Sequence, residues 1–348
     1  MRRCSREGRQ LHGGLILKPV ILGVSGPNLT SEEAALFRRL PPAGVILFGR
    51  NVVDPAQLAS LMHDLRAVLA PEAVMMVDQE GGRVARLRPP HWRAHPSAGA
   101  IARLDTRDPA AALRAAWAHG AAIGAECRAA GFDVVAAPVL DRAIPGQSDV
   151  VGDRSFGGDP ERVAELGLAM AEGLRAAGVI AVSKHAPGHG RARVDSHLVL
   201  PRVPFDAEAW GADLAPFRET ATLIPWMMTA HILYEGVDDD RPGTLSPTII
   251  GDAIRGEIGF DGLLLSDDLA MNALEGTPLT RVQASLAAGC DVAVYCPGDL
   301  AANTAILEAV PSAPGLPSIL AAARTLAASG AQPAKDWGAE RDLLLGIG

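Results

Sequence analysis

The chain lacks the marks of a nucleic-acid binder, a disulfide-framed module or a membrane span. Cationic excess is missing: 32 Lys and Arg stand against 40 Asp and Glu, for a net charge of −8 and a pI near 5.6. A nucleic-acid partner would call for a basic footprint, and an anionic membrane surface would repel this one. Cysteine is scarce, with Cys4, Cys127, Cys290 and Cys296 scattered and free of CxxC spacing, which suits a reducing compartment better than a disulfide framework. No apolar run is long enough to cross a bilayer; the stretch from Pro19 to Val24 falls far short of the ~20 residues needed. The opening MRRCSREGRQLHGG is basic, with no signal-peptide core behind it, so residues 1–14 read as a flexible extension before one domain over 15–348. A soluble cytoplasmic protein is the expectation. A dinucleotide turn is also missing, because VSGPNLTSEE after the first apolar run is no GxGxxG.

What is present is a repeated alternation of short apolar runs and longer helical stretches. Candidate strands begin at Pro19, Gly44, Ala73, Phe132, Val179, Trp226, Gly262 and Asp291. They are continuously apolar, as parallel strands buried on both faces must be. Helix starts are marked by Asp-Pro pairs at 54–55, 108–109 and 159–160, by Ser246-Pro247, and by Ser31 before Glu32-Glu33. Gly131 and Gly178 mark helix stops. Eight strand-then-helix units without a linker predict a single (β/α)8 barrel, with an open doubly wound sheet as the alternative that the missing glycine turn disfavours.

In such a barrel the reacting groups gather where strands end. Five consecutive strands end in ionisable residues: Asp78-Gln79-Glu80, Asp141, Lys184-His185, His231 and Asp267-Asp268. One such residue is ordinary capping; five together predict a site. The loop after the fifth strand, KHAPGHGRARVDSH, holds two glycines and a proline that forbid a helix. His185 and His189 therefore gain nothing from their spacing of four, although Asp195, His197 and His231 leave a zinc site open. Asp195 and His197 are close enough for a carboxylate to orient an imidazole as general acid/base, but a surface Asp-x-His in a polar loop reads the same way.

VDQEGGRVARL, GDRSFG, KHAPGHG with DSHLVLP, MTAHI and FDGLLLSDDLAM, in this order from about Pro19 to Cys296, resemble glycoside hydrolase family 3. Within it the chain is similar to the single-domain bacterial β-N-acetylhexosaminidases of peptidoglycan recycling. The resemblance implies a retaining, double-displacement mechanism with Asp267 as nucleophile and His197, partnered by Asp195, as acid/base. It implies sugar binding by Asp78, Arg86, Arg154, Lys184 and His185, with Arg83 in support and His189 and His231 as walls. The implied substrate is a small carbohydrate, N-acetylglucosamine β-linked to anhydro-muramic acid with or without peptide. No metal, organic cofactor, nucleic-acid or membrane partner is implied. Ala186 departs from the bulky apolar residue usual at its position, which implies looser packing under the loop.

Three competing readings remain open on sequence: a family 3 β-glucosidase or β-xylosidase, an N-acetylglucosaminide phosphorylase, and a barrel aldolase using Lys184 as a Schiff-base amine. A non-catalytic sugar sensor is disfavoured by the presence of both Asp267 and His197.

Overall fold

The computed structural model of the chain describes residues 16–146, 149–194, 196, 199–333 and 335–347. The expected extension over 1–14 lies outside the described residues. The strands, in chain order, are β1 (Lys18–Gly23), β2 (Pro42–Leu47), β3 (Val74–Val77), β4 (Val134–Val135), β5 (Ile180–Ala186), β6 (Arg202–Pro204), β7 (Trp226–Thr229), β8 (Leu233–Glu235), β9 (Leu263–Asp268) and β10 (Val292–Tyr295). Eight of them close a parallel barrel in the order β1-β10-β9-β7-β5-β4-β3-β2, while β6 and β8 pair with each other outside it. The predicted barrel is therefore present, and the β6–β8 ribbon is an addition that no apolar run announced.

The strands read as unbroken apolar runs because each contributes to two cores. Val74 and Met76, Ile180 and Val182, and Val292 and Val294 point into the barrel. The residues between them, such as Met75, Ala181 and Ala293, pack outward under the helices. Strand periodicity of two with both faces buried makes such runs apolar, and polar residues gather near the carboxyl ends, as Lys184-His185 in β5 and Asp267-Asp268 in β9.

The helices are α1 (Ser31–Arg39), α2 (Pro55–Val68), α3 (Ala98–Asp105), α4 (Pro109–Ala129), α5 (Pro160–Ala176), α6 (Ala207–Thr220), α7 (Pro278–Ala288), α8 (Leu300–Ala309), α9 (Leu316–Ser329) and α10 (Trp337–Leu345). Asp54, Asp108 and Asp159 cap α2, α4 and α5 through their side chains. The first helix begins one residue earlier than Ser31 suggests: Thr30 is the cap, forming a reciprocal capping box with Glu33. Between β7 and β9 the chain winds as a widened π-type helix, Ile249–Glu257. At the end where the strands begin, Leu316, Leu320 and Ala327 of α9 join the inner core and plug the barrel. The opposite end, where the strands finish, is left open to polar residues.

Helices α4 and α5 touch backbone to backbone. A Cβ on Gly120 would stand 2.0 Å from the Met170 carbonyl oxygen, and one on Gly173 would stand 2.0 Å from that of Trp117. Backbone cannot yield as a side chain can, so the overpacking cost should exceed the ~1 kcal/mol that alanine gains over glycine in a helix. Gly120→Ala and Gly173→Ala should each lose about 1–3 kcal/mol in urea unfolding. Gly211→Ala in α6, which has nothing within 4 Å of its would-be Cβ, should hold or gain stability. Equal behaviour of all three would refute the close-contact reading.

Candidate active site

A pocket of ≈ 220 Å³ opens at the carboxyl ends of the barrel strands. Its floor is the last inward layer of the barrel, Ile46, Met228, Val294 and Cys296. Its walls bring together Asp78, Arg86, Arg154, Lys184, His185 and Asp267, six residues expected from sequence. Asp195 and His197 lie outside the described residues. Ser196, between them, is buried and lines the pocket.

The densest feature is a cluster of charges built by β3, β5 and the loop after β4. The Lys184 ammonium, buried, donates to Asp78 Oδ1 at 2.9 Å and lies 2.6 Å from Glu80 Oε1. Arg154 binds the same Glu80 carboxylate bidentately, Nε to Oε2 at 2.8 Å and Nη2 to Oε1 at 2.7 Å. Arg86 reaches Asp78 at 3.4 Å and lies over the Phe48 ring. Burial alone would raise both carboxyls, but Arg154 and Lys184 hold Glu80 far below the usual carboxylate range. Lys184 and Arg86 likewise pull Asp78 down against its burial. For Lys184 burial works downward, and Asp78 with Glu80 outweigh it to raise the amine. Gln79, buried beneath, accepts the backbone N–H groups of Arg86 and Leu87 at 2.6 and 3.1 Å and so sets the approach of Arg86.

A second cluster surrounds Asp141, which follows β4. His185 Nδ1 donates to Asp141 Oδ2 at 2.6 Å, and its Nε2 faces Arg154 Nη2 at 3.4 Å. Asp141 Oδ1 also accepts the His189 backbone N–H at 2.7 Å. Burial drives the His189 imidazole down to about 4, so it is neutral at physiological pH, with Nε2 3.0 Å from Ser196 Oγ. His189 is a pocket wall as expected, whereas His231 sits behind the pocket, its Nε2 donating to the Asp268 carbonyl at 2.8 Å. Arg83 does not line the pocket; its guanidinium holds the carbonyls of Asp149 and Val150 at 2.6 and 2.5 Å. Ala186 is fully buried in β5.

The two adjacent aspartates at the end of β9 differ in environment. Asp268 is committed to backbone, accepting N–H groups of Ala270 at 2.9 Å and Cys296 at 3.1 Å, and burial raises its carboxyl. Asp267 accepts only its neighbour's N–H at 2.8 Å among the described residues. Burial pushes the Asp267 carboxyl up, yet His231 and His185 prevail and hold it at about 2. An ionised, uncommitted carboxylate therefore faces a pocket whose opposite wall is cationic.

Sequence reasoning put Glu80 at a strand end near the site but gave it no role there. The signal was present: in extended chain, residues two apart share a face, so Asp78 and Glu80 had to point the same way. Asp141 as the partner of His185, and Ser196 beside His189, carried no comparable local signal.

The chain matches the family model for the glycosyl hydrolase family 3 N terminal domain over residues 14–318, which leaves most of α9 and all of α10 beyond the matched stretch. It is 44% identical over 286 residues to a β-hexosaminidase of Alkalilimnicola ehrlichii, covering 81% of each chain. It is 40% identical to a β-hexosaminidase of Pseudomonas aeruginosa, covering 82% of this chain and 85% of that one. Its structure is similar to that of NagZ from Neisseria gonorrhoeae in complex with N-trifluoroacetyl-D-glucosamine, with a TM-score of 0.84, 32% identity, and 96% and 98% of the two chains covered.

Glu80→Gln keeps the shape of the clamp and removes the charge that Lys184 and Arg154 share. Stability at pH 7 should fall by about 3–5 kcal/mol, the usual cost of leaving buried charges unmatched. Because folding depresses the Glu80 carboxyl, its contribution is complete above the ordinary value of 4.5 and fades as pH falls toward the folded value. Urea midpoints should thus differ constantly between pH 6 and 8 and converge in acid. A gap that widened below pH 4 would contradict the clamp.

Proposed function

The chain belongs to glycosyl hydrolase family 3, and from that premise we propose that it is a retaining exo-β-N-acetylglucosaminidase. The observation that carries the proposal is Asp267: ionised, partnered only by a neighbouring N–H among the described residues, and facing a polar pocket sized for one sugar. Asp267 attacks the anomeric carbon while His197 donates a proton to the departing glycosidic oxygen, leaving a glycosyl-enzyme ester. His197 then takes a proton from water as the water oxygen attacks the same carbon and the Asp267 carboxylate departs. Asp195 orients the imidazole. Asp78, Arg86, Arg154, Lys184 and His185 bind ring hydroxyls through charge-assisted hydrogen bonds. The identity of the curated relatives as β-hexosaminidases, and the N-acyl glucosamine bound in the Neisseria gonorrhoeae structure, support a 2-acetamido sugar.

The aldolase reading needs a free, unprotonated Lys184 amine. Two carboxylates hold that amine protonated, which argues against Schiff-base chemistry. We place the enzyme in the cytoplasm, acting on N-acetylglucosaminyl-anhydro-muramic acid saccharides and peptides of cell-wall turnover. Cys127, Cys290 and Cys296 are all free and buried, which is consistent with a reducing compartment.

A 2-fluoro sugar bearing a good leaving group should trap a covalent adduct, and peptide mapping should find it on Asp267; an adduct elsewhere sinks the assignment. His197→Ala should slow alkyl glycosides by about 10²–10⁴-fold and activated aryl glycosides far less, since only the former need the proton. Asp267 is ionised well below pH 4, so any limb in kcat/KM between pH 5 and 8 belongs to another group. That limb should flatten in His197→Ala. Release of a sugar 1-phosphate in phosphate buffer would assign phosphorolysis in place of hydrolysis.

A further inference from the structure

Behind the charged wall of the pocket lies a second buried network that the reaction itself does not use. Arg341 of α10 is completely buried. Its Nη1 stands 2.6 Å from His95 Nδ1 and 3.4 Å from His119 Nδ1. A guanidinium can only donate, so both Nδ1 atoms must offer lone pairs. Each imidazole is then left with its proton on Nε2. His95 Nε2 lies 3.0 Å from Glu126 Oε2, and His119 Nε2 lies 3.0 Å from the carbonyl oxygen of Glu80. A carbonyl can only accept, so the His119 tautomer is specified independently from both sides.

The turn carrying Glu80 rests directly on these two histidines. Gly82 donates its N–H to the His95 carbonyl at 2.9 Å. Gly81 adopts φ +94°, and a Cβ there would meet His119 Cε1 at 2.9 Å and the Pro96 carbonyl oxygen at 2.2 Å. Glu80 closes the turn by donating to Val84 O at 2.9 Å.

We infer that Arg341 and His119 are positioning residues for the active site: Arg341 fixes His119 as a neutral Nε2–H donor, and His119 holds the Glu80 main chain so that the Glu80 carboxylate presents Arg154 and Lys184 to the sugar. The groups facing His119 are Arg341 from α10, His95, and the Glu80 carbonyl. Burial, then the Arg341 charge, keep its imidazole well below the ordinary histidine range, consistent with that state. The relay rests on the sugar-binding role proposed above for the Glu80 cluster.

The experiment compares hydrolysis of an aryl β-N-acetylglucosaminide, with melting temperatures, for wild type, Glu80→Ala, His119→Phe and His119→Gln. Loss of kcat/KM in Glu80→Ala tests the cluster itself. Given that loss, His119→Phe should lose about 10–100-fold in kcat/KM, the scale of a remote misplacement. His119→Gln, whose amide can still donate to the Glu80 carbonyl, should recover most of it. Phenylalanine and glutamine variants that fold and turn over alike overturn the relay while leaving the cluster standing. Should the phenylalanine variant not fold, long-range 1H–15N spectra of histidine-labelled wild type decide, with the His119 signals assigned by their absence in His119→Gln. A neutral Nε2–H tautomer from pH 5 to 8 supports the relay, and an Nδ1–H form or an imidazolium in that range overturns it.

Discussion

The site depends on one buried carboxylate shared by two cations. Glu80 is nearly inaccessible, yet it remains ionised because Arg154, from the loop after β4, and Lys184, from the end of β5, converge on it. Each of the three would be costly alone in this environment, and the attraction between them, far stronger than in water, offsets that cost only in this geometry. The ends of β3 and β5 and the loop after β4 must therefore meet at the right height for any one of the charges to be tolerated. The clamp ties the barrel's closure to its chemistry: the parallel registers of Val77 with Val135 and Val135 with Ala181 set the ends of β3 and β5 relative to β4. It also leaves Asp78 as the carboxylate in reach of a ligand, already drawn toward Lys184 and Arg86.

Across the pocket, β9 solves a different problem. Two aspartates in sequence are shifted in opposite directions by what surrounds them. Asp268 accepts two backbone N–H groups at its Oδ1 and is raised by burial, whereas Asp267 is held low by the imidazoles of His231 and His185. Neighbouring carboxyls with separated ionisation are how sites divide structural and reacting roles between identical side chains. The pocket also carries the carboxyl groups of Asp78, Glu80 and Asp268. Each of the other three is matched, Asp78 and Glu80 by cations and Asp268 by backbone donors, so Asp267 keeps its low value.

Most of the fold was legible because it follows from local rules. Eight apolar runs became the eight barrel strands, and the Asp-Pro pairs became caps, since both signals depend only on burial of two faces and on the unsatisfied N–H groups of a helix start. Six of the expected site residues meet in one pocket because strand ends in a closed barrel must converge. Glu80 was visible only as a neighbour of Asp78, and its role needed the three-dimensional arrival of Arg154, seventy-four residues away in the chain. The Arg341 network was not legible at all. Its arginine lies beyond the last strand, and its two histidines look like ordinary loop and helix residues until α10 packs on α4.

The loop after β5 carries the proposed acid/base and is held at both of its ends. Tyr234 donates to the Gly188 carbonyl at 3.1 Å, and Arg191 is bound to the buried Asp213 at 2.5 Å, which Arg142 also contacts. Gly190 lies so close to the Arg142 carbonyl, 2.3 Å from a would-be Cβ, that no larger residue fits. On the far side, Leu233 donates to the Pro201 carbonyl at 3.0 Å and β6 pairs with β8. Nine residues, 192–200, span the interval between these anchors. The segment that carries the proposed acid/base is thus short and fixed at both ends. The small β6–β8 ribbon, which contributes nothing to the barrel, thereby acquires a reason: it is the second post to which the proposed catalytic loop is tied.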